Sequence, residues 1–210
     1  MFYFLLYPPV FVVARLLMRV LGRLRSSGEG HVPRRGGVLY CPNHASDADP
    51  AAIFVSAPRR CWMVAKSELF DIPVAGWFFR RFHGLSINRD SADRAALRRI
   101  EARLKAGDPV LLFPEGRVSE TGRLGPIQPG AALLALRANV PIIPIGLQNT
   151  PGLLPYGALL LRPSPHPVVV TYGPPIHPRD FAHLPRARAI AAMTENLGAE
   201  LARLSAPPRG

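Results

Sequence analysis

The chain has 210 residues, enough for one compact domain plus a short appendage, and its 48% hydrophobic content supports a sizeable core and excludes wholesale disorder. A net charge of +12, with a pI of 11.1, calls for an anionic partner: nucleic acid, a membrane surface or phosphorylated small molecules. Lys66 and Lys105 are the only lysines, and the other basic residues are arginines, whose planar fork suits phosphate oxygens; some of them merely solvate the surface. The chain has no homeodomain-like or zinc-finger spacing and no aromatic RNA-binding signature, so no nucleic-acid partner is expected. The 24 prolines and 18 glycines lie between apolar runs as turn punctuation, and there is no internal repeat. Cys41 and Cys61 form no C-x-x-C pair, which argues against a zinc or thioredoxin-like site and for a reduced, cytoplasmic setting.

Phe2 to Ala14 is uncharged and almost wholly apolar, followed by Arg15, Arg19, Arg23 and Arg25 among leucines and valines. A cleavable signal peptide has its charges first, and a spanning helix needs about 20 apolar residues without the interruption at Pro8-Pro9. Residues 1–25 therefore read as a membrane-docking segment in the interface, its apolar side chains among acyl chains and its arginines at anionic headgroups. A helix packed on the protein's own core and a short single span are the alternatives.

Residues 26–210 read as the main domain. A polar link from Ser26 to Gly37 leads to an apolar run, Val38 to Cys41, that predicts a buried strand. After the polar turn Asn43 to Asp49, Asp49-Pro50 reads as an N-cap and first helical position, with the helix ending near Pro58. Cys61 to Ala65 and Ser86 to Asn88 predict two further strands. Ser91 to Ala106 is the clearest helix, with Leu97, Ile100 and Leu104 on one face and Gly107 ending it. Strands follow at Pro109 to Phe113, Ile142 to Leu147 and Val168 to Tyr172, with helices over Gly130 to Ala138 and Arg186 to Leu204. This alternation predicts an α/β fold, a mixed central sheet flanked by helices.

Ligands of open α/β sheets sit beyond the carboxyl ends of the strands. Three polar clusters follow strands directly: Asn43 to Asp49, Asn88-Arg89, and Pro114 to Arg117. Within the first, His44 is suited to take a proton from an alcohol if a neighbour fixes its tautomer. Asp49 does so if His44 lies on the turn before the helix and points back over its first turn; Asp47 competes for that role, and Asp49 reads equally well as a plain N-cap. His31, His83, His166, His177 and His183 read as surface or core residues. Pro114-Glu115-Gly116 reads as a tight turn on its own, and Lys66 with Glu68 as a surface ion pair. Cys41, inside an apolar strand, reads as a small core residue. His44, Asp47 and Asp49 lack the second cluster that a metal centre needs, so no metal is expected.

Asn43-His44-x-x-x-x-Asp49 resembles the first motif of the glycerolipid acyltransferases, the family of 1-acylglycerol-3-phosphate acyltransferase. Lys66 to Phe70 with Pro73, Gly84-Leu-Ser-Ile-Asn-Arg89, Phe113-Pro-Glu-Gly-Arg117 with Ser119, and Val140 to Ile145 resemble the later blocks, in the family's order. Arg117 follows Gly116 directly, where the commoner form has a Ser or Thr between them. The resemblance covers residues 43 to 145 strongly and the last third loosely.

The resemblance implies acyl transfer from acyl-CoA or acyl carrier protein to a hydroxyl of a glycerol phosphate lipid, with no cofactor, metal or acyl-enzyme. It implies His44 as general base and Asp49 as its orienting partner. Arg89, Arg117 and Lys66 would hold the acceptor's phosphate, and Glu115 and Gly116 would shape its site, the Gly116 N–H facing phosphate or oxyanion. The expected acceptor is a lysophospholipid, 1-acylglycerol-3-phosphate, at the cytoplasmic side of the cell membrane, on an anionic surface, with peripheral or monotopic attachment. Another lysolipid, a lipoamino acid or a glycolipid is the alternative acceptor, and a non-catalytic peripheral membrane-binding protein the alternative class.

Overall fold

The computed structural model describes residues 2–88, 93–158 and 160–206, with side chains from residue 8 onward. Among the described residues seven strands form one sheet: β1 (Arg25–Ser27), β2 (Val38–Pro42), β3 (Trp62–Lys66), β4 (Gly84–Ile87), β5 (Pro109–Leu111), β6 (Ile142–Gln148) and β7 (Val169–Tyr172). Their order is β1-β7-β6-β2-β5-β3-β4, with β2 in the middle. β6, β2, β5, β3 and β4 run parallel, while β7 is antiparallel to β6. The mixed sheet expected from sequence is present.

Successive side chains of a strand face opposite ways, so a strand covered on both sides is apolar throughout. β2 is such a strand, buried along its whole length. Val38 and Tyr40 join one core with Met63, Phe113, Ile143 and Ile145; Leu39 and Cys41 join the other with Val110 and Ile142. The first core is covered by helices α1 (Phe2–Val20) and α2 (Asp49–Ser56), with Phe78 and Phe79 of α3 (Pro73–Arg81) at its edge. The second is covered by α4 (Arg94–Lys105), α5 (Gly130–Ala138) and α7 (Arg186–Ser205). A four-residue helix, α6 (Thr150–Leu153), follows β6.

The elements depart from the sequence reading at several points. α1 runs straight through Pro8 and Pro9, which removes two backbone donors from its interior. Tertiary packing holds it: Val10, Phe11 and Ala14 lean on the first core and Met18 is buried in it. Its outward side keeps Val12, Val13, Leu16 and Val20 exposed, and among the described residues no helix is long and apolar enough to cross a membrane. β1 forms where a link was expected, as a polar edge strand paired in parallel with β7. α3, absent from the sequence reading, begins with proline and buries only Gly76, whose Cα lies so close to the Phe70 carbonyl that a side chain would clash. α4 starts at Arg94, capped by Asp93, which accepts a 2.8 Å bond from the Ala96 N–H.

Because β6, β2, β5, β3 and β4 are parallel, their carboxyl ends share one edge of the sheet. The loops after β2 and β5, Lys66 at the end of β3 and Asn88 after β4 all collect there.

Candidate active site

The loop leaving β2 is fixed at its first residue. Asn43 continues the ladder through its N–H to Ile145 O, and its side chain exchanges bonds with the Leu147 backbone: Oδ1 accepts from Leu147 N at 2.7 Å and Nδ2 donates to Leu147 O at 3.1 Å. The next residue, His44, is thereby placed over the seam between β2 and β5. Its ring stacks on Phe113, with centroids 3.7 Å apart, and is almost wholly buried.

Asp49 opens α2, one residue later than an N-cap; the N-cap is Ala48 and its side chain makes no cap bond. From there the carboxylate turns back over the loop. Oδ2 lies 2.9 Å from His44 Nδ1 and accepts the N–H of Ala45 at 2.7 Å and of Ser46 at 2.8 Å. Asp49 is fully buried, while Asp47 is exposed, so geometry selects Asp49 as the partner of the imidazole. An acceptor oxygen opposite Nδ1 favours the tautomer with the proton on Nδ1, leaving the Nε2 lone pair free to take a proton. The helix start adds a favourable potential for the carboxylate. Oδ1 is buried without a hydrogen-bond partner among the described residues. Ser46 braces the turn, donating from Oγ to Leu154 O at 2.6 Å and accepting the Ala48 N–H.

Glu115 ties this loop to the one after β5. Oε1 accepts the His44 N–H at 2.6 Å and Oε2 the Gly125 N–H at 2.7 Å, while the Ser119 N–H donates to the His44 carbonyl at 2.8 Å. Its position in a motif was visible in the sequence; its function as a clamp 71 residues from His44 was not. Gly116 sits at φ 78°, a left-handed conformation suited to glycine, and its N–H closes the turn onto Phe113 O at 3.1 Å. That donor is engaged within the turn.

Arg117 is exposed and lines a recess of about 260 Å³ with Glu115, Ser119 and Gly125. Lys66 stands further along the edge, 2.7 Å from Glu68, whose exposed carboxyl is held down at about 2, chiefly by that ammonium. Lys66 is thus engaged in the surface pair its sequence also allowed. Arg89 lies outside the described residues. Cys41 points into the core opposite His44, where burial pushes its thiol up, as expected of an inert core cysteine.

Burial raises the Glu115 carboxyl above its ordinary 4.5, against the opposing pull of the Gly125 and His44 N–H bonds. A carboxyl raised on folding gains a proton in the native state, so its contribution to stability falls as pH rises from the unfolded value through the folded one. Urea unfolding of the wild type and Glu115→Gln from about pH 4 to about pH 7 tests this. The wild type's advantage should shrink as pH rises through that window; a pH-independent difference would contradict it.

Residues 23–148, more than half of the chain, match the family model described as Acyltransferase. The 1-acyl-sn-glycerol-3-phosphate acyltransferase of Bacillus subtilis is 26% identical over 191 residues, covering 90% of this chain and 92% of that protein. The enzyme of the same description from Limnanthes douglasii is 30% identical over 175 residues, 81% of this chain and 60% of its own length. The crystal structure of the 1-acyl-sn-glycerophosphate acyltransferase from Thermotoga maritima superposes with a TM-score of 0.72 at 23% identity, over 94% of this chain and 82% of the other, which establishes the shared fold. On a sheet of this form, with the blocks around His44 and Glu115 at its carboxyl edge, the chain is an enzyme of the acyltransferase family.

Proposed function

We propose that the protein transfers a fatty acyl group from a thioester, acyl-CoA or acyl carrier protein, to the free hydroxyl of 1-acylglycerol-3-phosphate. The observation that carries this reading is the 2.9 Å contact between His44 Nδ1 and the buried Asp49 carboxylate. An imidazole held at Nδ1 offers Nε2 as base to one proton at a time, the requirement of alcohol acylation. The acceptor identity is supported by the curated relatives of that activity in Bacillus subtilis and Limnanthes douglasii.

In this mechanism Nε2 takes the hydroxyl proton as the acceptor oxygen attacks the thioester carbonyl carbon. The tetrahedral intermediate collapses by breaking the C–S bond, and the imidazolium returns its proton to the departing sulfur. Asp49 stabilises the imidazolium and prevents the ring from turning. No covalent acyl-enzyme is needed, and the buried Cys41 is unsuited to form one. Glu115 positions His44 through its backbone. Arg117, Arg89 and Lys66 would hold the acceptor's phosphate through charge-assisted bonds.

Residues 1–25 are the membrane-docking segment in this proposal. Val12, Val13, Leu16 and Val20 give α1 an exposed apolar side, and Arg15 and Arg19 are exposed on the same helix. A lysolipid resides mostly in the bilayer, so interfacial attachment at an anionic cytoplasmic leaflet brings the active site to its acceptor without drawing an acyl chain through water.

His44→Ala should lower acyl transfer by roughly 10²–10⁴-fold, the range of a lost general base, while sedimentation with anionic vesicles stays unchanged. Full turnover in that variant would remove the mechanism. Arg117→Ala and Arg89→Ala should raise KM for lysophosphatidate and leave a neutral monoacylglycerol acceptor unaffected. Equal effects on both acceptors would assign these arginines a structural role.

A further inference from the structure

A cleft of about 580 Å³ lies beside the His44 loop. Its floor includes Asn43 and Ala45, the residues on either side of His44, and its walls include Arg123, Gln148, Asn149 and His166. The walls are built into the fold. Gln148 Nε2 donates to Leu204 O and Ala206 O, and Asn149 Nδ2 to Pro167 O, while Arg23 secures the loop before His166 through Ser164 O and Pro165 O. The volume falls within the range of about 300–1,000 Å³ common to small-molecule sites.

Position distinguishes this cleft from the proposed phosphate site. β2 is flanked by β5, β3 and β4 on one side and by β6 on the other. Lys66 and Asn88 belong to the β5-β3-β4 flank, where Arg117 lines a separate recess, whereas the cleft extends from residues 121–124 of the loop after β5 across the end of β6. Two substrates must reach one imidazole, and the acceptor's phosphate is assigned to the first flank. The second flank remains for the acyl donor. Arg123 stands at its wall, exposed, its guanidinium without an ion pair or hydrogen bond among the described residues.

We propose that the cleft over β6 takes the phosphopantetheine arm common to acyl-CoA and acyl carrier protein, with Arg123 meeting the arm's phosphate and Asn43 and Ala45 flanking the path of the thioester to His44. The mixture of amide side chains and apolar surface suits an arm that alternates amides with methylenes. The assignment rests on the acyl-transfer reading and adds to it a place for the donor and a residue that selects it.

Steady-state kinetics of Arg123→Ala test the assignment with three donors: acyl-CoA, acyl carrier protein, and the acyl thioester of N-acetylcysteamine, which keeps one amide and has no phosphate. Loss of a charge-assisted phosphate contact should raise KM roughly tenfold or more for whichever phosphate-bearing donors the enzyme uses. KM for lysophosphatidate and turnover of the truncated thioester should not change, and Arg123→Lys should recover part of the loss. Arg188→Ala, the same charge change at an exposed site on α7, should behave as wild type. The assignment is overturned if the acceptor's KM rises instead, if the truncated donor suffers equally, or if both full donors work and only acyl-CoA is affected. Wild-type protein that transfers from none of the three donors would overturn the acyl-transfer reading and this assignment with it; normal transfer with donor-independent effects would overturn the cleft alone.

Discussion

Three N–H groups converge on one oxygen of a buried carboxylate, Asp49 Oδ2: the imidazole at 2.9 Å and the backbone of Ala45 and Ser46 at 2.7 and 2.8 Å. Removing a carboxylate from water is costly unless its lone pairs are met by donors, and here those of Oδ2 are met by the very turn that carries the imidazole, while Oδ1 has no partner among the described residues. Local structure and chemistry are therefore coupled, because the bonds that satisfy Asp49 also fix where His44 stands. Two longer-range contacts hold the turn at the sheet edge. Asn43 locks it to β6, and Glu115 locks the His44 backbone to the loop after β5.

The arrangement accounts for the spacing of the first motif. His44 and Asp49 are five positions apart, and on a continuous helix that would turn the side chains about 140° apart. They meet because the helix begins only at Asp49 and the intervening residues form the turn beneath the ring. The spacing belongs to a strand-turn-helix junction, which is also where an α/β sheet opens its ligand crevice.

Much of the sheet was readable because its central strands are buried on both sides, and Val38 to Cys41, Pro109 to Leu112 and Ile142 to Leu147 are unbroken apolar runs. β1 was not readable: Arg25, Ser26 and Ser27 are polar, and their pairing with β7 comes from the edge of the sheet. α3 was missed because Gly76 and a cluster of aromatics hide any helical stripe. Pro8-Pro9 suggested a break that packing on the first core overrides. At the site, His44 and Asp49 were legible from their motif, but the choice of Asp49 over Asp47 needed burial and direction. The Glu115 clamp and the occupied Gly116 N–H depend on contacts between segments distant in sequence, which no spacing rule encodes. The β6 cleft gathers residues from five stretches of chain, none forming a motif alone.

The account stands or falls on the protonation pattern of a single ring. Nitrogen-15 NMR of histidine-labelled protein at a pH where His44 is neutral tests it most directly. The account predicts a protonated Nδ1, its proton shifted downfield by the Asp49 carboxylate, a bare Nε2, and loss of that pattern in Asp49→Asn. A ring protonated at Nε2, or one indifferent to the Asp49 substitution, would contradict it.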